Sequence, residues 1–456
     1  MSISTKPPSG FRDFLPRDAR RRERVFHVIR EVYEAHGFEP LGTPCFERLS
    51  TLTGKYGEEG DQLIFKVLKR GNKLDKALRK DAPTDADLSD AGLRYDLTVP
   101  LARVYAEHRN ELPGVFKRYQ IAPVWRADRP QRGRFREFFQ CDVDVVGSTS
   151  MTVEAEVASA LASVLDRLGF GGVRVHINHR GLLRAIIQAA GIPLDQETDA
   201  LIAIDKLDKI GLDGVRGELE ERGIPADGIA ALLDTLGIQT TGERGAYTNG
   251  ATLEALEARV GELDEGKRAL GELRQVLDYA SGGPAGPLLF LDPFLARGLS
   301  YYTGPIFEIR SDDFSGSLGG GGRYDGLIGM FGKQSVPACG FSLGVERILV
   351  LMEERGMFGE EAASVDLVVA LIKDETVGAS LALAQDLRRE GVRVDVYPDS
   401  GDKLGKQLKY ADERGAPYVA ILGPDELAAG VVAVKDLRSG EQVEIARGEV
   451  AGHVKG

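Results

Sequence analysis

Residues 124–147 read VWRADRPQRGRFREFFQCDVDVVG. Arg126, Arg129, Arg132, Arg134 and Arg136 fall within eleven positions of a 456-residue chain whose formal net charge is -12. The pattern predicts two strands, 115–126 and 135–146, joined by ADRPQRGR with turn signals at Pro130 and Gly133. Eight residues is long for a hairpin connection and marks a functional loop. Side chains alternate faces along a strand, so Arg136, Phe138, Gln140, Asp142 and Asp144 share one face while Phe139, Cys141, Val143 and Val145 share the other. On the preceding strand Gln120 and Arg126 fall together, opposite Tyr119, Ile121 and Trp125. A solvated sheet face alternates in the same way. Two features favour a binding face: forked guanidinium donors suit phosphate, and the Phe138 ring offers a purine a stacking surface that an arginine can close.

Composition sets the frame. With 43% hydrophobic and 28% charged residues the chain resembles an ordinary globular protein of two or three domains. MSISTKPPSGF has no apolar core of a signal peptide, and no run approaches the roughly 20 apolar residues that span a bilayer. A cytoplasmic protein without membrane contact is the expectation. Cys45, Cys141 and Cys339 are scattered and odd in number, against a disulfide framework. His176 and His179 form an HxxH without further ligands and are read as histidines near a strand end, not as a zinc site. A pI near 5.2 argues against general coating of nucleic acid, so any such contact is confined to a patch.

Around the hairpin the chain divides by period. Apolar residues Val25, Phe26, Ile29, Val32 and Tyr33 predict an amphipathic helix over 18–36, stopped at Gly37. FEPLGTP after it is an edge strand or one that meets a partner chain. Residues 61–70 predict a strand and 71–91 a polar loop. A helix is expected over 150–168, and the helical periods between 185 and 280 form a helical insertion. PLLFLDP and PIFEIR return to strand, followed by SLGGGGRYDG and a helix from Val345 to Glu354. From Asp366 strands alternate with helices, predicting an α/β domain with a largely parallel sheet.

KRYQIAPVWRADRPQRGRFREFFQCDVDVVG resembles motif 2 of the class II aminoacyl-tRNA synthetases. Motif 1 matches the helix near 18–36 with the strand containing Pro44, and motif 3 matches PACGFSLGVERILVL. LRYDLTVPLAR, LARGLSYYTGPIFEI and GGGGRYDGLIGMFG narrow the likeness to the histidyl-tRNA synthetase family over essentially the whole chain. Ser300 departs from the aspartate usual in RGLDYYTG. Neither HIGH nor KMSKS occurs, and Gly54-Lys55-Tyr56 fails as a Walker A loop. The resemblance implies an α+β class II synthetase catalytic core with an antiparallel sheet and flanking helices, a helical insertion and a C-terminal α/β anticodon-binding domain. The expected boundaries are 1–184 and 284–358 for the two parts of the catalytic domain, 185–283 for the insertion and 366–456 for the anticodon-binding domain.

The resemblance also implies an activity and roles. Histidine and ATP would form histidyl-adenylate and pyrophosphate, and histidine would pass to the 3′ end of tRNA(His). Arg126 and Arg297 would be the catalytic pair that grips the α-phosphate. Phe138 and Arg347 would enclose adenine. Asp96, Thr98 and Gln140 would meet the α-amino group. Asp144 and Tyr302, with Tyr301 adjacent, would flank the imidazole, whose two nitrogens differ in hydrogen-bond role. Arg132 and Arg134 would contact the tRNA acceptor end. Mg2+ is expected with ATP, its ligands unassigned, and a homodimer is implied. Lys403, Lys406 and Lys409 form a basic stripe in the C-terminal domain, open to reading as an RNA contact or as a solvated helix face. The alternative is a catalytically inactive histidine-sensing paralogue. Such paralogues lose the ATP-gripping arginines and the C-terminal domain, and this chain has both.

Overall fold

The computed structural model describes residues 3–53, 62–236, 248–296, 301–332, 334–359 and 364–456. The chain forms two compact units, Met1–Met357 and Phe358–Gly456. The first holds strands β1 Glu39–Pro40, β2 Phe46–Arg48, β3 Lys66–Leu68, β4 Ser89–Leu93, β5 Phe116–Trp125, β6 Glu137–Val146, β7 Val173–His179, β8 Leu289–Leu291, β9 Pro305–Ser311, β10 Phe314–Arg323 and β11 Ala338–Gly344. Its main sheet has the order β1-β5-β6-β11-β10-β9-β7-β8 among the described residues, and β2-β4-β3 form a small second sheet. The centre from β5 to β7 is antiparallel, and only the edge pairs β1–β5 and β7–β8 are parallel.

The hairpin lies at the heart of this sheet. Phe139, Cys141, Val143 and Val145 turn to the apolar side, where Phe139 stacks on Phe26 at 5.0 Å and the Tyr33 hydroxyl donates to the Cys141 carbonyl at 3.3 Å. Phe26 and Tyr33 lie on the helix Pro16–Ala35, whose buried residues Val25, Phe26, Ile29, Val32 and Tyr33 are the stripe expected from spacing. The helix Thr152–Arg167 covers the same side. It is locked to β10 by a buried fork: Arg323 Nε meets Glu154 Oε1 at 2.6 Å and Nη2 meets Oε2 at 2.9 Å. Between Arg180 and Ala280 the described residues are mainly helical. His179, fully buried, joins this block to the sheet: its Nδ1 accepts from Gly181 N–H at 2.9 Å, so its Nε2 donates to Glu272 at 2.7 Å. His176 pairs with Asp292 at 2.8 Å. Both histidines of the HxxH are thus structural.

The polar segment 71–91 is not a loop. It forms the helices Asn72–Leu78 and Asp85–Leu88 and then β4. Its helices escape the periodicity test because the first buries only Ala77 and the second no residue. A capping box sustains the second: Asp87 N–H donates to Thr84 Oγ1 at 3.4 Å and Thr84 N–H to Asp87 Oδ2 at 3.0 Å. Within 61–70, where a strand is expected, only Lys66–Leu68 is extended in the ladder.

The second unit has strands β12 Leu367–Ala370, β13 Val394–Val396, β14 Tyr418–Ile421, β15 Val431–Asp436 and β16 Gln442–Ala446 in the order β13-β12-β14-β15-β16. Leu367 and Val369 enter one apolar cluster and Val368 and Ala370 another, as a strand covered on both sides requires. The sheet is half parallel, not largely so, because β15 and β16 join antiparallel. The short connection Leu437–Glu441 makes a hairpin that no crossover helix interrupts.

Removing one partner of the buried fork leaves a charge without compensation. Glu154→Ala should lower stability by about 3–5 kcal/mol in urea denaturation, and the double change Glu154→Leu, Arg323→Met should recover most of that loss. An unaffected single variant would contradict the lock.

Candidate active site

The polar face of β6 continues across three neighbours. Arg118 on β5, Asp144 on β6, Gly340 on β11 and Gly322 on β10 lie in one row, and Gln120, Asp142, Ser342 and Gly320 in the next. Ala122, Gln140 and Gly344 form a third. The face is therefore charged on the hairpin and nearly bare on the glycine strand. Gly340 shows why: a Cβ there would lie 1.8 Å from Asp144 Oδ1. Only a residue without a side chain leaves that carboxylate its place.

Arg118 is fully buried and pairs with Asp144 Oδ2 at 2.7 Å, and it donates to the Leu97 carbonyl at 3.2 Å. Tyr324, on the segment after β10, donates its hydroxyl to Asp144 Oδ1. Burial pushes the Tyr324 phenol well above its ordinary range and the charge of Asp144 adds to this, so it is a firm donor. Asp142 is also buried. Burial pushes its carboxyl up to about 7 although Arg118 opposes the shift, and Asp144 reinforces it. Gln140 Nε2 donates to Ser342 Oγ at 2.7 Å.

Around this floor stand the other expected residues. Arg126 donates to the Tyr95 carbonyl at 2.9 Å, and its guanidinium lies 5.2 Å from the centre of the Phe138 ring. Asp96 Oδ1 accepts from Val99 N–H at 3.0 Å, at the start of the helix Thr98–His108. Asp96 and Thr98 are thus juxtaposed at a helix start, beyond the end of β4 at Leu93. Tyr301 donates to Tyr302 at 2.9 Å, and its ring stands edge-on to Tyr324 at 6.4 Å. Arg347, at the start of the helix Val345–Glu354, donates to the Ser317 carbonyl of β10. Arg132 pairs with Glu354, and Arg134 lies 3.5 Å from Asp128; both are largely exposed on the loop. Arg297 lies in 297–300, outside the described residues.

The loop itself is strapped from below. Arg136 N–H donates to the Gly10 carbonyl at 2.8 Å, and its guanidinium to Asp128 O at 3.1 Å and Ser9 O at 3.3 Å. Arg12 lies over Phe135 at 3.2 Å and pairs with Glu346. Of the five arginines, Arg136 is therefore structural.

Two residues of the face, Arg118 and Tyr324, escape the sequence reading, and Asp142 is placed on the face by alternation but given no role there. Arg118 has a signal, because it shares parity with Gln120 and Arg126. Tyr324 has none, since it reaches Asp144 across 180 positions of sequence.

A sheet of this order, with an arginine-edged hairpin at its centre and a glycine strand beside it, is the core of a class II aminoacyl-tRNA synthetase. Comparison with known proteins agrees. The family model for histidyl-tRNA synthetase matches residues 10–348, and that for an anticodon-binding domain matches 366–456. A histidine--tRNA ligase of Christiangramia forsetii is 40% identical over 99% of this chain and 100% of its own length. Another from Porphyromonas gingivalis is 43% identical over 95% of each. The crystal structure of histidyl-tRNA synthetase from Nostoc sp. PCC 7120 superposes with a TM-score of 0.83 at 32% identity, covering 100% of this chain and 99% of that one.

The chain belongs to the histidyl-tRNA synthetase family. It is an aminoacyl-tRNA ligase for histidine, and the inactive histidine-sensing alternative is not favoured.

Gly340→Ala should force the Asp144 carboxylate aside, at a cost of about 1–3 kcal/mol in thermal unfolding. Histidine affinity should fall with it in a calorimetric titration. Unchanged affinity would contradict the packing just described.

Proposed function

We propose that the charged face of the hairpin is the adenylation centre, and that its residues divide the work as follows. The histidine carboxylate is ionised at neutral pH and attacks the α-phosphorus of ATP. A P–O bond forms to the amino acid, and the bond to the β-phosphate oxygen breaks with release of pyrophosphate. In the second step the 3′-terminal ribose hydroxyl of tRNA(His) attacks the acyl carbon, and AMP leaves. No general base is needed for the first step, so alignment and positive charge carry it.

Arg126 and Arg297 are proposed to hold the α-phosphate, Arg297 on the strength of sequence resemblance alone. The side-by-side placement of Arg126 and Phe138 supports a phosphate grip next to a stacking surface. Arg347 and Phe138 would enclose adenine, and Asp96, with Thr98 beside it, and Gln140 would take the α-amino group. The imidazole would lie between Asp144 and Tyr302, with Tyr301 beside them. Asp144 already faces Arg118 and Tyr324. A carboxylate has about four acceptor positions, so one more N–H is accommodated. The exposure of Arg132 and Arg134 suits contact with the tRNA acceptor end. The observation that carries the reading is the buried carboxylate floor beside arginines on a strapped loop.

Mg2+ is proposed to arrive on the phosphates of ATP. Among the described residues no three His, Cys, Asp or Glu side chains cluster to hold a metal. We further propose a homodimer that involves the motif 1 region, where β1 is an edge strand with Pro40 in it. A cytoplasmic location is proposed as well; no helix of the described residues is long and apolar enough to cross a membrane. The division at 185 and 283 is proposed as the border of a helical insertion. In the second unit Lys406 pairs with Asp402 at 2.8 Å and Lys409 with Glu413 at 3.6 Å, so the stripe is exposed but partly neutralised. We propose that it positions RNA phosphate and leaves anticodon identity to base contacts.

ATP–pyrophosphate exchange tested with all twenty amino acids should proceed with histidine alone. Arg126→Ala should lower the exchange rate on the order of 10²–10³-fold while calorimetry still detects histidine binding. Exchange with another amino acid, or full turnover in the variant, would overturn the assignment.

A further inference from the structure

Asp142 stands at the centre of the polar face, between Gln140 and Asp144 along β6 and between Gln120 and Ser342 across the sheet. The Ser342 hydroxyl bonds to this carboxyl, which is 2% exposed. Its Oδ1 nevertheless has no hydrogen-bond partner. Beside it Gln140 has used its amide N–H on Ser342, and its buried Oε1 is also unpartnered. A buried acceptor without a donor is costly and rare. Two of them side by side on a ligand-facing surface mark where donors of the ligand belong.

The protein's own cations do not fill this need. Charged groups face Asp142 from every element around it: Arg118 on β5, Arg94 and Asp96 after β4, and Asp144 on β6, with Tyr33 and Cys141 behind the sheet. Arg118 gives its Nη2 to Asp144 and to the Leu97 carbonyl, and its Nε and Nη1, though buried, reach no acceptor, Asp142 Oδ1 included. Arg94 spends its donors on the carbonyls of Thr43 at 2.6 Å and Pro123 at 3.0 Å. Three carboxylates thus share this neighbourhood with two arginines, and a further positive charge would be welcome.

We propose that Asp142 is a specificity residue for the amino-acid substrate, its Oδ1 taking one N–H of the α-ammonium while Gln140 Oε1 and Asp96 take the other two. This rests on the reading of the face as the histidine-activating centre. An ammonium has three donors and no acceptor, which suits the three acceptor groups of Asp142, Gln140 and Asp96. The compensating charge then enters with the substrate. Burial pushes this carboxyl up to about 7, so at acidic pH the α-ammonium must displace a proton to bind.

The test is Asp142→Asn, measured by pyrophosphate exchange and by competition with 3-(imidazol-4-yl)propionate, which is histidine without its amino group. The variant should fold. A carboxyl raised from its ordinary value to about 7 takes up a proton on folding, so it lowers stability progressively as pH rises from about 4 to about 7. Replacing it removes that penalty, and the variant should be at least as resistant to thermal unfolding at pH 8.

At pH 8 the histidine KM of Asp142→Asn should exceed the wild-type value by about tenfold, the equivalent of about 1.4 kcal/mol. At pH 6 the ratio should shrink toward one, because the wild-type carboxyl is then largely protonated before binding; titration of the histidine ring cancels in the ratio. The analogue should lose little affinity in the variant. Equal loss for histidine and analogue, or a ratio that ignores pH, would overturn the proposal while leaving the site reading intact. Absence of histidine-dependent exchange in the wild type would instead remove the site reading itself.

Discussion

Buried carboxylates on the face of a sheet need their charge answered within the sheet, and the contact between Arg118 and Asp144 is that answer. Neither side chain reaches solvent, and their 2.7 Å pairing fixes β5 and β6 in register at the row where both face the ligand side. A slip of one residue would send Asp142 and Asp144 into the apolar layer under the helices Pro16–Ala35 and Thr152–Arg167. It would also lift Cys141 and Val143 onto the polar floor. The glycines of β10 and β11 depend on the same pair, because Gly340 is the space that Asp144 occupies. Tyr324 then completes the set from the far end of the glycine strand.

On this buried base the chain mounts an exposed, charged loop. Arg132 and Arg134 are exposed on the loop, whereas the floor residues are buried and tied. The division suits a two-step ligase. The segment around Ser9–Arg12 braces the loop at Arg136 and Phe135, so the loop springs from a held base.

Several elements were legible from local pattern. The stripe Val25, Phe26, Ile29, Val32 and Tyr33 is the buried face of its helix, and alternation along 135–146 correctly sorts Phe139, Cys141 and Val143 from Gln140, Asp142 and Asp144. Segment 71–91 was not legible, because short helices held by a capping box carry no apolar period. The C-terminal sheet was misjudged for a related reason: strand composition does not state direction, and β15–β16 turn back through a short connection. Asp96 and Thr98 do come together, but through a helix start.

The sequence by itself determined the alternation of the hairpin, the density of arginine on its loop and the family to which these motifs belong. All three are properties of neighbouring residues, or of words of sequence, and survive in the unfolded chain. Only the tertiary structure decided which charges on that face are already spent. Arg118 reaches Asp144 through strand register, Tyr324 reaches it across 180 positions, and Asp142 Oδ1 and Gln140 Oε1 are left without donors when the sheet closes over them. Charge is written residue by residue, but its compensation depends on distance and burial, and those exist only after folding.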